Sequence, residues 1–184
     1  MSKKRIHLPL KDEDVANLRA GDSILLNGPL LTGRDAAHKR LVTALQEGKE
    51  LPVALKGETI YYVGPCPTKP GRVIGSAGPT TSSRMDFYTP TLLKLGLKGM
   101  VGKGQRSPGV IEAMKSCGAV YLAALGGAGA LIANSIIAVE VIAYSDLGPE
   151  AIYRMEVQDL PVIVAIDRYG NDLYRTGRTE YQRR

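Results

Sequence analysis

A run of small and hydroxyl-bearing residues that ends in an arginine is the strongest chemical signal in this sequence of 184 residues. It reads Gly75-Ser-Ala-Gly78-Pro79-Thr80-Thr81-Ser82-Ser83-Arg84-Met85-Asp86 and lies where a loop is predicted to enter a helix. Free N–H groups and the positive dipole end of a helix start favour an anion. The hydroxyls add donors, and Arg84 can bind a carboxylate through two parallel hydrogen bonds. The segment indicates an anion site, with an ordinary helix cap as the alternative.

A second predicted helix start has the same chemistry. Arg34 and Asp35 begin the helix, and His38 follows Arg34 by one turn on the same face. An arginine in the first turn opposes the helix dipole, which indicates a role other than helix stability. A lone histidine in such a place is more often a surface or hydrogen-bonding residue than a catalyst.

Lys103 lies between two glycines, in Gly102-Lys103-Gly104, and this exposes it for contact with a ligand. The stretch lacks the earlier glycine and the Ser or Thr of a P-loop, and Gly127-Ala-Gly129-Ala-Leu-Ile132 has isoleucine at the third glycine of a dinucleotide motif. Arg34, Arg84 and Lys103 would together form a cationic pocket suited to a small dicarboxylate. Each charged hydrogen bond in it would contribute roughly 1.5–3 kcal/mol.

The formal net charge of +6 raises nucleic acid as a partner. Residues 1–10 and 174–184 each carry a net +3, however, and residues 11–173 hold 17 basic and 17 acidic side chains. The excess belongs to two short basic tails, and a nucleic-acid face would instead gather Lys and Arg on the folded surface. We expect solvated tails or contacts with an acidic partner, and no nucleic acid.

Cysteine and histidine are scarce, with two of each: Cys66, Cys117, His7 and His38. Zinc sites need about four ligands and iron–sulfur clusters three or four thiolates, so we expect no metal to be held by this chain alone. The sequence shows neither a disulfide framework nor a signal peptide. A cytoplasmic location is therefore expected.

Alternating helix and strand patterns predict an α/β fold, a single domain over residues 1–184 with a mixed sheet and flanking helices. The expected elements are a strand at 22–26 with a turn at 27–29, helices at 34–47, 80–95 and 107–118, and a closing hairpin over 161–174. The uncharged stretch 116–139 is long enough to span a bilayer. Its glycines divide it into a strand at 121–125 and a helix at 128–137, before another strand at 139–144, so no membrane span is expected.

These motifs occur in the order seen in one family. They are Asn27-Gly28-Pro29, Thr32-Gly33-Arg34-Asp35-Ala36-Ala37-His38, Tyr61-Tyr62-Val63-Gly64-Pro65, Gly78-Pro79-Thr80-Thr81-Ser82-Ser83-Arg84-Met85-Asp86, Gly99-Met100-Val101-Gly102-Lys103-Gly104 and Gly148-Pro149-Glu150-Ala151-Ile152. From about Leu10 to Tyr174 the sequence resembles the β subunit, equivalent to the C-terminal domain, of class I iron–sulfur fumarate hydratases and L-tartrate dehydratases.

The resemblance implies a swivelling β/β/α domain that closes over an α subunit, in a heterodimer or heterotetramer. Three cysteines of the α subunit would hold an oxygen-sensitive 4Fe–4S cluster, whose open iron would bind the substrate's hydroxyl and carboxylate. The active site would lie between the subunits. The resemblance thus implies a partner and a cofactor that the sequence itself does not carry.

The same resemblance implies roles for the candidate residues. Those that would bind substrate carboxylates are Arg34, Thr81, Arg84 and Lys103. Thr80 would be the base that removes the C3 proton of malate, with Lys103 assisting catalysis. Those that would act at most through these residues are Asp35, His38 and Asp86.

The activity implied is a hydro-lyase reaction, the reversible hydration of fumarate to (S)-malate. The nearest alternative is L-tartrate dehydratase, which makes oxaloacetate from a substrate with one more hydroxyl. From a different class, the chain could be a non-catalytic module that binds an anion or nucleic acid.

Overall fold

A computed structural model describes residues 4–181, in which seven strands alternate with helices. The strands are β1 (Lys4–His7), β2 (Ser23–Thr32), β3 (Thr59–Tyr61), β4 (Gly99–Gly102), β5 (Val120–Ala123), β6 (Ile136–Ala143) and β7 (Ile152–Ile166). The helices are α1 (Asp12–Asn17), α2 (Asp35–Gln46), α3 (Thr89–Lys94), α4 (Pro108–Cys117), α5 (Gly129–Ala133) and α6 (Leu173–Tyr181), with 3₁₀ segments at Ser82–Met85 and Ser145–Glu150. The predicted α/β class with a mixed sheet is confirmed.

The sheet has the order β1-β2-β3-β4-β5-β7-β6, and β2 also pairs with β7. Strands β1 to β5 pair in parallel, whereas β7 is antiparallel to β2, β5 and β6. Pairing therefore passes from β2 through β3, β4, β5 and β7 back to β2. Because neighbouring parallel strands end at the same edge, the loops after β2, β3 and β4 meet there.

Alternation along the strands divides the buried side chains between two cores. Ile60 and Met100 pack in the cluster that includes residues of α2, α3 and α4. Their neighbours Tyr61 and Val101 face the other cluster, which includes residues of α1 and α5. Burial on both faces fixes the register of β3 and β4, and hence the position of the loops that follow them.

The turn predicted at 27–29 is wrong, because β2 runs on to Thr32. A β-bulge between Leu26 and Gly28 absorbs the irregularity, and Pro29 pairs with Glu156 of β7 beyond it. Gly28 has φ +107°, and a Cβ there would lie 2.9 Å from the Leu8 carbonyl oxygen. A glycine at the bulge therefore lets β2 continue to the site.

Two of the predicted helices are confirmed and one is wrong. Helices α2 and α4 occur as expected, and the Ser107 hydroxyl caps α4 by accepting the Val110 N–H. The helix expected over 80–95 instead divides into the 3₁₀ segment Ser82–Met85 and the short helix α3. Pro90 lies in the first turn of α3, where its missing N–H costs nothing, and it disfavours a continuous helix through this point.

The ends of the chain contain regular structure in their described parts. Arg5 of β1 donates two hydrogen bonds to the Asp159 carboxylate, at 2.9 and 3.1 Å, so part of the excess positive charge is paired. The prediction of a second strand for the closing hairpin is wrong, because a helix, α6, begins at Leu173. Residues 1–3 and 182–184 of the predicted basic tails lie outside the described residues.

The uncharged stretch 116–139 is divided among β5, α5 and the start of β6, as predicted. The helix expected over 128–137 is too long, however, because α5 ends at Ala133 and β6 begins at Ile136. Across residues 4–181, none of the helices combines the length and the apolar character needed to cross a membrane.

Candidate functional site

The predicted site residues lie where β2, β3 and β4 end. Arg34 follows β2, and Lys103 follows β4 directly. The loop that carries Thr80 is tied to both neighbouring strand ends: the Thr80 N–H donates to the Tyr62 carbonyl (N···O 2.7 Å), and the Lys103 N–H donates to the Thr80 carbonyl (3.4 Å). The carboxyl-end edge of parallel strands is a common place for a ligand.

Part of the backbone of this loop is already occupied by hydrogen bonds. Thr81 forms a parallel bridge with Lys103, and the Ser82 N–H donates to the Lys103 carbonyl at 2.9 Å. The N–H groups of Thr80 and Ser82 are therefore occupied, whereas the Thr81 N–H makes no hydrogen bond with the described residues. The anion site expected at this junction stays a prediction. An anion at this edge would therefore depend mainly on the side chains.

Asp35 links Arg34 and Arg84 in a cluster of charged side chains at this edge, which also includes Lys103 and Glu150. Arg84 Nε donates to Asp35 Oδ1 at 2.8 Å, and Arg34 Nε lies 3.3 Å from Asp35 Oδ2. The second contact is an ion pair without a hydrogen bond, and Oδ2 is buried with no hydrogen-bond donor among the described residues. The carboxylate offsets the repulsion between two guanidinium groups that share one edge of the sheet.

Glu150 is a member of this cluster that was not among the predicted site residues. Its Oε1 accepts hydrogen bonds from Nε and Nη2 of Arg34, at 3.0 and 2.7 Å. Its Oε2 accepts the N–H of Ala36, in the first turn of α2, at 2.8 Å. The Glu150 carboxylate thus accepts an otherwise unpaired N–H at the start of α2. Its negative charge also favours the positive end of the helix dipole, which the charge of Arg34 opposes. Glu150 is far from Arg34 in sequence, so its only sequence signal was a segment that fits the family.

Lys103 differs from the two arginines because its charge is not paired. Its side chain is half-buried, and its ammonium forms no hydrogen bond or ion pair with any residue that the structure describes. The Lys103 side chain passes Gly126, where an added Cβ would lie 3.7 Å from Lys103 Cδ. Lys103 is therefore free to bind an anion at this edge.

His38 is fully buried behind Arg34. Its Nδ1 lies 3.2 Å from the Arg34 carbonyl oxygen, to which it donates, and its ring packs edge-on against Tyr62 at 5.2 Å between centroids. Nε2 is buried with no partner among the described residues. Burial lowers the pKa of His38 to about 4, so the ring is neutral near pH 7. His38 supports the backbone of Arg34 and does not face a ligand.

The pKa of His38 makes the stability of the fold depend on pH. The folded-state pKa is about 4, below the ordinary value of 6.5, so only the unfolded chain takes up a proton between these values. We expect the free energy of unfolding to be unaffected above pH 6.5 and to fall by about 3 kcal/mol as the pH drops to 4. Denaturant titrations of the wild type and His38→Phe at pH 7, 5.5 and 4.5 measure this loss.

The variant should be less stable at pH 7, because the bond to Arg34 is lost, but its stability should change less with pH. The exposed His7 offers a matched control, since His7→Phe should keep the wild-type pH dependence. Equal slopes for the wild type and His38→Phe would contradict a buried neutral imidazole.

Asp86 contacts Arg106 rather than Arg84. Arg106 Nε donates to Asp86 Oδ1 at 2.7 Å, and the Ser107 N–H donates to Oδ2 at the same distance. Arg106 also donates to the Thr89 hydroxyl at 2.8 Å, and its side chain is completely buried. Asp86 thus anchors the segment that follows Lys103, and its predicted role of acting through the site residues stays a prediction.

Aromatic side chains complete the anchor. The Arg106 guanidinium lies 5.4 Å from the ring centre of Tyr62 and 5.0 Å from that of Tyr121. Burial lowers the pKa of Arg106, but the Tyr62 and Asp86 side chains raise it by more, so the group stays charged. The Tyr121 hydroxyl donates to the Gly104 carbonyl at 2.9 Å. Both sides of Lys103 are thus attached to the core.

The described residues do not fit a metal cluster. Cys66 is exposed in the loop before Gly75, and Cys117 is the last residue of α4. Among residues 4–181, no group of three or more His, Cys, Asp and Glu side chains is arranged to hold a metal ion. A cluster of the kind that the resemblance implies would need ligands from another chain.

Comparison with known proteins gives a family. The family described as "Fumarase C-terminus" matches residues 1–177. The chain is 42% identical over 152 residues to the aerobic class I fumarate hydratase of Escherichia coli K12, an alignment that covers 82% of this chain and 28% of that protein. It is 38% identical over 164 residues to fumarate hydratase 2 of Leishmania major, covering 88% of this chain and 29% of that protein.

A relative of similar length also matches. A protein of Methanocaldococcus jannaschii, provisionally named an L(+)-tartrate dehydratase subunit beta, is 40% identical over 171 residues, covering 90% of this chain and 88% of its own. The chain thus spans little more than a quarter of the fumarate hydratases, but nearly the whole of a protein named as a subunit.

Proposed function

Because the chain belongs to the fumarase C-terminus family, we propose that it is the β subunit of a two-subunit hydro-lyase that interconverts fumarate and (S)-malate. The observation that carries the proposal is the convergence of Arg34, Arg84 and Lys103 on one edge of the sheet. A dicarboxylate is the small substrate class that such a set of cations would bind.

The charges of the cluster favour a site completed by a second chain. Arg34, Arg84 and Lys103 contribute three positive charges, and Asp35 and Glu150 remove two of them. The cluster therefore has a net charge of +1. A bound dicarboxylate brings two negative charges, so the cluster and the substrate together would have a net charge of −1. A cationic group on the partner would restore the balance, which supports an active site between subunits.

We propose that Arg34, Arg84 and Thr81 bind the substrate carboxylates. The Arg84 side chain is 52% exposed, and its Nε is the atom that binds Asp35, so its two Nη groups remain available. Thr81 is exposed beside Lys103, with its hydroxyl free to donate. These residues would hold the substrate's reacting carbon next to Thr80.

Dehydration of malate removes a proton from the carbon next to a carboxylate and the hydroxyl from the neighbouring carbon. We assign the proton transfer to Thr80, whose side chain is half-buried and makes no hydrogen bond with the described residues. A Thr hydroxyl is a weak base unless cations stabilise its alkoxide. The unpaired Lys103, held beside it through the backbone, would do this and would offset the charge that develops on the carboxylate.

We assign the iron–sulfur cluster to the α subunit, in a heterodimer or heterotetramer. The support is that Cys66 and Cys117 offer too few thiolates in this chain and that a relative of similar length is named as a subunit. Both cysteines are free thiols, as expected in the reducing cytoplasm, where we place the enzyme.

L-Tartrate is the second candidate substrate, favoured by the relative that matches this chain over 88% of its length. Tartrate and malate differ by one hydroxyl and would use the same carboxylate-binding residues. We propose to co-express the chain with its α subunit, purify the complex anaerobically and measure kcat/KM for malate, fumarate and tartrate. Preference for tartrate would replace the proposed substrate, and inactivity on all three would favour a non-catalytic binding module.

An Arg84→Lys variant should weaken substrate binding more than it slows turnover. A lysine keeps the positive charge but replaces a planar fork with a single ammonium group, so one charged hydrogen bond is lost. We expect KM for malate to rise by roughly tenfold to a hundredfold, with kcat changed much less. Steady-state kinetics of the complex measure both constants.

Arg40→Lys is the matched control, because Arg40 also makes a two-bond contact with a carboxylate, that of Asp146, but lies outside the cluster. Its kinetic constants should equal those of the wild type. Unchanged KM and kcat in Arg84→Lys would remove Arg84 from the site.

A further inference from the structure

Arg34 has its guanidinium divided between two uses. Its Nε and Nη2 both donate to Glu150 Oε1, at 3.0 and 2.7 Å, so the side edge of the fork is occupied. Its Nη1 makes no hydrogen bond with any residue that the structure describes. An arginine has five N–H donors, and two remain on Nη1 and one on Nη2. The end of the fork is therefore free to bind a second carboxylate.

The glycine after β3 leaves this end open. A Cβ at Gly64 would lie only 3.0 Å from Arg34 Nη1, closer than side chains normally approach. Gly64 follows Val63, which forms an antiparallel bridge with Pro79, and the Tyr62 carbonyl accepts the Thr80 N–H. Arg34 Nη1 therefore lies against the backbone segment that pairs with the loop carrying Thr80.

Glu150 has the contacts needed to fix this orientation. Its Oε2 accepts the Ala36 N–H at 2.8 Å, and its side chain is only 23% exposed. Three hydrogen bonds at once hold the carboxylate against the start of α2. Asp35 does not hold Arg34 in this way, because its contact with Arg34 Nε has no hydrogen-bond geometry.

We infer that Glu150 is a positioning residue, which binds the side edge of Arg34 so that the Nη1–Nη2 end is presented to a substrate carboxylate. The inference rests on the proposed function. It explains why a half-buried carboxylate stands beside a cation that is needed to bind an anion. Without Glu150, Arg34 would turn toward Asp35 and lose its orientation toward the substrate.

The test uses the assembled complex and the Glu150→Ala variant. We expect KM for the preferred dicarboxylate to rise about tenfold or more, because a charged hydrogen bond to the substrate is lost, with kcat within about threefold of the wild type. In an Arg34→Ala background the same substitution should change kcat/KM by less than about twofold, since Glu150 acts through Arg34. A role in stability alone would lower the melting temperature and the active fraction but leave KM unchanged.

Asp146→Ala is the matched control. Asp146 lies in the same 3₁₀ segment and also binds an arginine of α2, Arg40, through two hydrogen bonds at 2.8 and 2.7 Å. It should change the melting temperature without changing KM. An unchanged KM in Glu150→Ala, or an equal loss of kcat/KM with and without Arg34, would overturn the inference. Inactivity of the wild-type complex on every dicarboxylate would overturn the proposed function instead.

Discussion

Thr80→Ala should abolish most of the turnover of the complex while leaving its assembly and substrate binding intact. The fold uses Thr80 through its backbone, whose N–H and carbonyl bind Tyr62 and Lys103. Its hydroxyl makes no hydrogen bond with the described residues, so removing it leaves no buried partner unsatisfied. A general base contributes typically 10²–10⁴-fold to the rate, and we expect kcat to fall by about that factor with KM within a few-fold of the wild type.

Two further variants make the result specific. Thr80→Ser keeps a hydroxyl and should recover part of the activity. Thr43→Ala removes a threonine from the exposed face of α2 and should behave as the wild type. Near-normal kcat in Thr80→Ala would remove Thr80 as the base, and poor assembly with the α subunit would show that its role is structural.

Asp86→Ala should destabilise the protein more than any other single substitution in or near the site. It would leave the guanidinium of Arg106 buried without a counter-charge and would remove the acceptor of the Ser107 N–H. Removing one partner of a buried ion pair typically costs 3–5 kcal/mol, and we expect the free energy of unfolding to fall by about that amount. Urea denaturation monitored by circular dichroism measures the loss.

The double variant Asp86→Ala/Arg106→Met distinguishes a buried charge from simple loss of packing. If the cost is that of the unpaired guanidinium, replacing Arg106 by an apolar residue should restore part of the stability. A double variant that is less stable than Asp86→Ala would contradict this explanation. Arg5→Ala is the exposed control: because its pair with Asp159 is solvent-exposed, the loss of stability should be far smaller than in Asp86→Ala.

Local sequence patterns predicted the elements whose signals lie within the element itself. The predictions failed where pairing with a distant strand determines the structure. Helix α4 has its signals in the sequence, a capping Ser107 and a terminal Gly118 in the left-handed region at φ 63°. The turn expected at Asn27-Gly28-Pro29 is overridden by pairing with β7, which holds β2 extended through Pro29. No local pattern shows such pairing, because the partner strand lies more than a hundred residues away.

The grouping of the cations and of Asp35 at one edge of the sheet was predictable from the sequence, but the contact between Glu150 and Arg34 was not. Arg34, Arg84 and Lys103 stand out in the sequence because each lies at a loop or helix start that would not otherwise favour it. The contacts of Glu150 with Arg34 and of Asp86 with Arg106 join separate segments of the fold, so no local pattern predicts them. The sequence also indicated free N–H groups where this loop enters a helix, and two of the N–H groups there, those of Thr80 and Ser82, are bound by the neighbouring strand ends.

The proposed division of the site between two chains is tested most directly by titrating this chain with the proposed cluster-bearing α subunit under anaerobic conditions and measuring fumarate hydration. We expect no activity from either chain alone, and activity that rises with added partner until the two are equimolar. The Arg34→Ala chain should bind the partner equally well and restore little activity at the same substrate concentration. Hydration of fumarate by this chain without its partner, or full activity of the partner without this chain, would contradict the divided site.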